Sequence, residues 1–535
     1  MQTNMTNIHS DVKQRTHSFT ILSFSSLASR ISATCLFTIL LFTLSSCDDF
    51  LTELPETAIP EEEAMVTLSD AEKVCLGVYS TFKNPALYSG SLVQATEVQS
   101  DLFYAAIGYT NQLGSFYRWE TNANDPVLQE VYGGLYQIVN RCNFFFDHRA
   151  EVEATLKNDT ERGQMKKYVA DVAFMRAYAY HDLVRLFCKA YDPATASSTL
   201  GVPIYLKYRE EKGDNVIVER STLDKCYEQI LCDLDTAAVN EPRKGTDTPF
   251  VTQGAIAALR ARVLLYMHDW EGAEKYASEV IDAKTGNSTI YELADANYEC
   301  INPGGAQTNE YEMMLEYDTA DEIIWKISFS STDFTGSIGS LFMGVNSGRY
   351  NPSYLPANWL LESYPDYDYR YITHFPIVTT VQGVKWEILT KFPGNPIIDG
   401  VAGPYFCNMP KLLRLGETYL IRAEARCMLG KTTKACEDIT TLRKARIRNY
   451  GSFMAEQSKL LHEIQNERAR ELVGEGFRLT DLKRWGIGFE RVPQTGTIDG
   501  PNYNALKVAA GNSRYTWLIP QHEITASKGI VIQNE

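Results

Sequence analysis

No C-x-x-C pair and no Cys/His cluster at metal-ligand spacing occurs in this 535-residue chain, although it holds 11 cysteines, which excludes a structural zinc of the finger or ribbon kind. Walker, G-x-G-x-x-G and G-x-S-x-G motifs are missing too, and with them the readable signatures of nucleotide binding and serine-hydrolase chemistry. His462-Glu463 and His522-Glu523 each begin a zinc-protease pattern, but Asn466 and Ala526 stand where the second histidine is needed. Asp366-Tyr367-Asp368 opens like a calcium loop and lacks its glycine and closing glutamate. Cations are in the minority: 51 Lys and Arg against 67 Asp and Glu give a net charge of -16 and argue against nucleic acid or an anionic membrane surface as the main partner. Outside residues 31–44 no apolar run approaches the roughly 18 residues of a membrane-spanning helix. No cofactor and no metal ion is expected.

What is present is a hydrophobic content of 44%, enough for a large core, and an excess of aromatic side chains. The 31 Tyr, 23 Phe and 7 Trp exceed what a core alone requires, so some are expected on surfaces that touch a ligand or partner. Apart from Cys35 and Cys47, most cysteines sit in helical patterns, where a thiol behaves as a small hydrophobe. They are expected to be mostly free and buried, with a single disulfide as the alternative.

Residues 31–44 (ISATCLFTILLFTL) are uncharged, follow Lys13, Arg15 and Arg30, and fit the apolar region of a secretory signal. Leu44-Ser45-Ser46-Cys47 then has the form of a bacterial lipobox, which makes Cys47 the expected lipidated first residue of the mature protein. An ordinary signal peptide or a buried helix that happens to contain a cysteine is the alternative. Removing residues 1–46 takes away a net +2 and leaves the mature chain at -18. Residues 47–63 are acidic, hold two prolines and show no helical period, so they read as a linker from lipid to globule.

A single domain is expected over 64–535, mainly α. Tyr168, Val172, Met175, Ala179, Leu183 and Leu186 recur every three or four residues and predict an amphipathic helix over 164–187. Ser221 or Thr222 can cap the next helix, whose stripe runs from Leu223 to Ala238. Residues 252–281 and 412–442 each read as helix, short turn, helix, with small residues where the two would cross, the tetratricopeptide (TPR) plan. The helical TPR-like units are expected mainly in 130–283 and 411–485. Between them, 285–410 is rich in Asn, Gly, Ser, Pro and Tyr, broken by one strand-like run, EIIWKI at 322–327. A loop-rich stretch of that length is more often functional than idle.

Three polar clusters stand out: Glu467 through Trp485; Arg414, Glu417, Arg422 and Glu424; and Arg176, Asp182 and Arg185. Their helical spacing suggests ion pairs that lock helices to neighbours, a structural role.

The strings Leu135-Tyr136-x-Ile138-x-Asn140, Phe174-Met175-Arg176-Ala177-Tyr178, Asp182-Leu183-Val184-Arg185, Leu413-Arg414-Leu415-x-Glu417-x-Tyr419 and Glu467-Arg468 through Trp485, in this order after Cys47-Asp48-Asp49, point to a family. The chain resembles the SusD/RagB family of surface nutrient-binding lipoproteins of Bacteroidetes over nearly its whole mature length. Tyr132 stands where that family commonly has a tryptophan. The resemblance implies a TPR-like helical scaffold packed against a loop-rich part with minor β. It also implies a non-enzymatic role: a lid on a SusC-like TonB-dependent outer-membrane transporter that captures glycan or oligosaccharide, or in some members peptide. A surface glycan hydrolase is a less favoured reading, requiring two carboxyls about 5.5 Å or about 6.5 to 9.5 Å apart across a cleft. A pure protein-docking scaffold is a third.

The matching strings carry no ligand residue across, so the site is sought by composition. A sugar offers apolar C–H faces to flat rings and hydroxyls to polar groups. Two stretches combine both: 109–124, with Tyr109, Phe116, Tyr117 and Trp119 among Asn111, Gln112, Arg118, Asn122 and Asn124, and 334–354, with Phe334, Tyr350 and Tyr354 among Asn346, Arg349 and Asn351. These seven rings are the expected ligand contacts, with rings that merely pin loops to the scaffold as the alternative.

Overall fold

The computed structural model describes residues 63–534, apart from 210–216, 241, 246–248, 401–404 and 495–505; the lipobox and Cys47 lie outside the described residues. Helix α1 (Leu68–Thr81) starts at a capping box in which Asp70 N–H donates to Thr67 Oγ1 while Thr67 N–H donates to Asp70 Oδ2. After the wholly hidden second half of α2 (Ser91–Gln99) come two long helices, α3 (Pro126–Thr155) and α4 (Asp159–Phe187). Proline at the first position and Asp125 at the cap start α3; Asn158 caps α4 ten residues before Tyr168, where the apolar stripe begins. From Tyr168 to Phe187 every residue of α4 is buried, so this helix is enclosed all round rather than lying on a surface. Its buried charged residues are paired inside the core, Arg176 with Asp233 and Asn143, Asp171 with Arg243 and Arg185 with Asp182, whereas both ring nitrogens of the buried His181 lack a hydrogen-bond partner among the described residues.

Helices α5 (Leu223–Val239), α6 (Gln253–Tyr266) and α7 (Trp270–Ile281) follow, then α8 (Leu415–Met428), α9 (Thr432–Lys444), α10 (Gln457–Leu472) and α11 (Arg478–Trp485). Thr222 precedes α5 as expected, although its side chain makes no capping bond. The α6–α7 turn needs His268 at φ +61° and uses Asp269 to cap Gly272; the α8–α9 turn uses Gly430 at φ +71°. Neighbours pack in series, α3 on α4, α4 on α5, α6 on α7, α7 on α8 and α8 on α9. Ala261, Ala273, Ala277 and Ala425 let α6, α7 and α8 approach, the TPR-like crossing expected from the sequence. All nine cysteines among the described residues are free, and only Cys232 and Cys300 are not buried.

Strands are short and pair by twos: β1 (Phe103–Ala105), β2 (Leu200–Pro203), β3 (Arg220–Thr222), β4 (Ile323–Lys326), β5 (Val345–Asn346), β6 (Arg349–Tyr350), β7 (Tyr354–Pro356), β8 (Ile377–Thr379), β9 (Lys385–Glu387) and β10 (Lys411–Arg414) are those that matter here. The EIIWKI run becomes β4, paired antiparallel with β10. The fold is thus mainly α, a TPR-like scaffold joined to a loop-rich part with minor β.

The polar clusters are structural, but mostly not through local spacing. Arg484–Asp481, Arg470–Glu467 and Arg185–Asp182 are expected three-residue pairs, whereas Arg484 also reaches Glu424, Arg262 reaches Glu417, Arg422 reaches Asp438 and Arg414 reaches Glu322, Glu471 and Glu475. The Asp366-Tyr367-Asp368 alternation is likewise absorbed: Asp368 caps the 369–374 helix and pairs with Arg370.

Glu97 on α2 ties that helix to the α10–α11 turn. Its Oε2 and Oε1 accept the N–H groups of Gly474 (3.1 Å) and Gly476 (2.7 Å), residues whose φ of +80° and +81° aims those groups at it. Burial pushes the Glu97 carboxyl up to about 7 against the pull of those two N–H groups. The stability from this raised pKa is fully present below about pH 4.5, declines as pH rises, and is gone above about pH 7. Glu97→Gln should therefore remove a decline of about 3 kcal/mol across that window. The check is urea midpoint against pH for both proteins; parallel profiles would refute it.

Candidate functional site

Antiparallel pairing of β1 with β7 sets Ala105 opposite Tyr354, and Ala106 N–H extends it to Ser353 O (3.0 Å). The two aromatic stretches, more than two hundred residues apart, thereby meet. Thr110 and Ser353 hydroxyls lie 3.4 Å apart, and the Tyr109 ring packs edge-on against Tyr354 at 5.4 Å. Tyr109 OH donates to Asn111 Oδ1 (2.8 Å), which also accepts Arg118 Nη1 at 2.8 Å. A tight turn at Ser347-Gly348, with φ of +52° and +73°, closes the β5–β6 hairpin and presents Arg349 and Tyr350.

A third segment completes the patch. Val381 N–H donates to Tyr350 O (3.0 Å), and Gln382 Nε2 donates to Ile107 O (3.2 Å) and lies 3.4 Å from Asn351 Oδ1. Nothing in the composition of 377–387 pointed there; only the approach of the β8–β9 hairpin to β6 brings Gln382 in. The result is a surface where Tyr109 and Tyr350 are half-buried and Asn111, Gln112, Asn346, Arg349 and Gln382 are exposed, rimmed by Ile107, Val345 and Val384, each more than two-fifths exposed. Asn111 and Leu113 hold left-handed backbone at φ +62° and +56°, strain of the kind that collects at binding loops.

The expectation of exposed rings fails at four positions. Phe116, Tyr117, Trp119 and Tyr354 are buried. Phe116 packs on Trp517, Tyr117 lies under the Arg491 guanidinium at 4.1 Å, and Trp119 sits between Phe489 and Tyr515 with its Nε1 donating to Gln99 O (2.9 Å). Tyr354 OH donates to Gln112 O at 2.6 Å, and burial raises the hydroxyl pKa of Tyr117 and, more strongly, that of Tyr354. The C-terminal segment that covers these rings is close only in three dimensions. Phe334 is half-buried against Tyr405. Among the described residues, no group of three or more His, Cys, Asp or Glu side chains could hold a metal ion.

Two family profiles match this chain: residues 402–535 fit one described as the SusD family, and residues 49–265 fit one described as starch-binding, associating with outer membrane. The chain belongs to the SusD/RagB family. Its SusD/RagB relatives include SusD-like protein P38 of Formosa agariphila, 23% identical over 512 residues, 85% of this chain and 91% of that protein. The SusD/RagB fold is also that of a SusD superfamily protein from Bacteroides thetaiotaomicron, at TM-score 0.72 and 22% identity, covering 88% of this chain and 100% of that one. A SusD-like carbohydrate binding protein from Bacteroides vulgatus matches at TM-score 0.68 and 20% identity, over 87% and 97% of the two chains.

Proposed function

We propose that this SusD/RagB protein is a non-catalytic capture protein that binds an oligosaccharide and delivers it to a SusC-like TonB-dependent transporter of the outer membrane. The observation that carries the reading is the convergence of three separate segments on one patch, with half-buried Tyr109 and Tyr350 among exposed Asn, Gln and Arg side chains. Flat rings stack on sugar C–H faces while amides and guanidinium bond hydroxyls. Support comes from the family descriptions: starch-binding with outer-membrane association for one profile, carbohydrate binding for a structural neighbour.

The test is direct. Tyr350→Ala, and Arg349→Ala beside it, should each weaken binding of whichever neutral oligosaccharide a glycan array retains by roughly tenfold, about 1.4 kcal/mol, with the melting temperature unchanged. Unaltered affinity in both folded variants would remove the patch from the reading.

The domain reading belongs to the same proposal: a signal peptide with lipobox at 1–46, a lipidated linker at 47–63, and the SusD/RagB domain from 64 onward. Lipid on Cys47 anchors the protein to the outer membrane, facing the exterior. One acyl chain gives marginal attachment and more than one is needed for a stable anchor, so Cys47→Ala should move the protein from the membrane fraction to the soluble one. Palmitate-analogue labelling that persists in the variant would contradict the anchor.

A further inference from the structure

A second cleft, of about 440 Å³, lies on the helical scaffold, between α3, the strap that follows β2, and the short C-terminal helix α12 (Gln521–Ala526). Its wall is aromatic. The rings of Tyr132 and Tyr136 on α3 stand 4.8 Å apart, Tyr205 on the strap is 5.7 Å from Tyr136, and the Arg209 guanidinium lies 4.2 Å over Tyr205. The strap is pinned by its backbone: Asn140 Nδ2 donates to Arg209 O and its Oδ1 accepts Arg209 N–H, both at 2.9 Å, while Asn143 Nδ2 donates to Tyr205 O at 2.9 Å. Tyr136 OH donates to Pro203 O at 2.8 Å. The cleft is therefore preformed, as ligand sites of this size usually are.

Gly133 is the second observation. It lies inside the 30-residue α3, exposed, on the lining of the cleft, and a Cβ added there meets nothing within 4 Å. Its neighbour Gly134 has a packing reason, since a Cβ would come 3.0 Å from Asn84 Nδ2 and 3.2 Å from Leu87 Cδ2. A glycine inside a helix lowers stability relative to alanine, and at position 133 no contact among the described residues requires it. What it does provide is bare backbone and open space beside a row of tyrosines.

We propose that this cleft is a second saccharide site, taking a neutral pyranose unit that rests on Tyr205 and Tyr136 and occupies the space that Gly133 leaves. Arg209 donates and Glu523 accepts at the same cleft, with exposed Gln137 able to do both. Hydroxyls also do both, so this mixed lining suits a neutral sugar; an anionic ligand would face Glu523 and a cationic one Arg209. The inference rests on the reading of the protein as a saccharide-capture protein. Two sites on one chain would hold a long glycan more tightly than either alone, through effective concentration.

Gly133→Trp fills the cleft from an exposed position, and Glu523→Gln removes an acceptor from a half-buried one. The probes are an array of neutral and acidic oligosaccharides, maltoheptaose among them, followed by calorimetry of the full mature chain with a retained tetrasaccharide. Two sites per wild-type chain are expected, one in Gly133→Trp and one in Tyr350→Ala, with at least tenfold weaker binding of the parent polysaccharide by each variant. Glu523→Gln should weaken only the cleft, and it carries the test if the tryptophan variant melts early. A single site lost in Tyr350→Ala and untouched in Gly133→Trp and Glu523→Gln overturns the cleft and leaves the capture reading standing. A single site lost in Gly133→Trp and kept in Tyr350→Ala supports the cleft and removes the loop patch. Retention of acidic glycans alone overturns the neutral class, and retention of none overturns both readings.

Discussion

Replacing Glu471 with Ala should destabilise the fold by about 3–5 kcal/mol, the range for removing one partner from a buried ionic network. Its carboxylate accepts Arg370 Nη1 (2.8 Å), Arg414 Nη1 (2.5 Å) and Arg446 Nη2 (3.0 Å), and every one of these side chains is 2% exposed or less. Burial alone would push this carboxyl up, but Arg446, Arg414 and Arg370 hold it well below the usual carboxylate range. With its folded pKa depressed, the contribution is present above the unfolded value and is lost as pH falls through the folded one. Without Glu471, the guanidinium groups at the end of β10, on the 369–374 helix and in the turn after α9 share too little negative charge in a site that water does not reach. Equilibrium urea unfolding at neutral pH measures the effect, and a loss under about 1 kcal/mol would show that Glu322, Glu467 and Asp368 already balance the cluster.

Trp119→Ala is the second large effect, and it separates ring burial from ligand contact. The side chain is 6% exposed, with ring centroids 4.8 Å from Tyr515 and 5.8 Å from Phe489, so truncation leaves a cavity and an unpaired Gln99 carbonyl. Large aromatic truncations in cores lower stability by about 3–5 kcal/mol. The variant should melt well below the wild type and, where folded, bind saccharide as the wild type does. Tyr350→Ala should show the reverse pattern, a near-native melt with weakened binding. A Trp119→Ala protein with a native melt and no binding would return this ring to the ligand surface.

The helical half of the molecule was largely legible in the sequence because its signals are local. A repeat of three to four residues and a short turn such as that at Gly430 act within one or two turns of helix, so α4, the α6–α7 pair and the α8–α9 pair could be read one at a time. Even there the early start of α4 was hidden, because its first turn carries polar residues and only its cap marks it. The charged clusters were legible as structural but not in their pairing, since Arg414 and Arg262 find acids that lie far along the chain.

The candidate site was only half legible. Composition singles out 109–124 and 334–354, and the pairing of β1 with β7 does bring them together. Composition cannot say which face of a ring is covered: the covering groups for Phe116, Tyr117 and Trp119 are Trp517, Arg491, Tyr515 and Phe489, about four hundred residues away.

By itself, then, the sequence determined the helical scaffold, the family and the two aromatic segments, because periodicity, caps and ordered strings are properties of neighbouring residues. Only the tertiary structure decided that Tyr109 and Tyr350 stay accessible while four sister rings are buried, that Gln382 joins them, and that Gly133 lies open beside Tyr136 and Tyr205. The physical reason is that exposure depends on everything packed against a side chain, and most of what packs against these comes from distant parts of the chain.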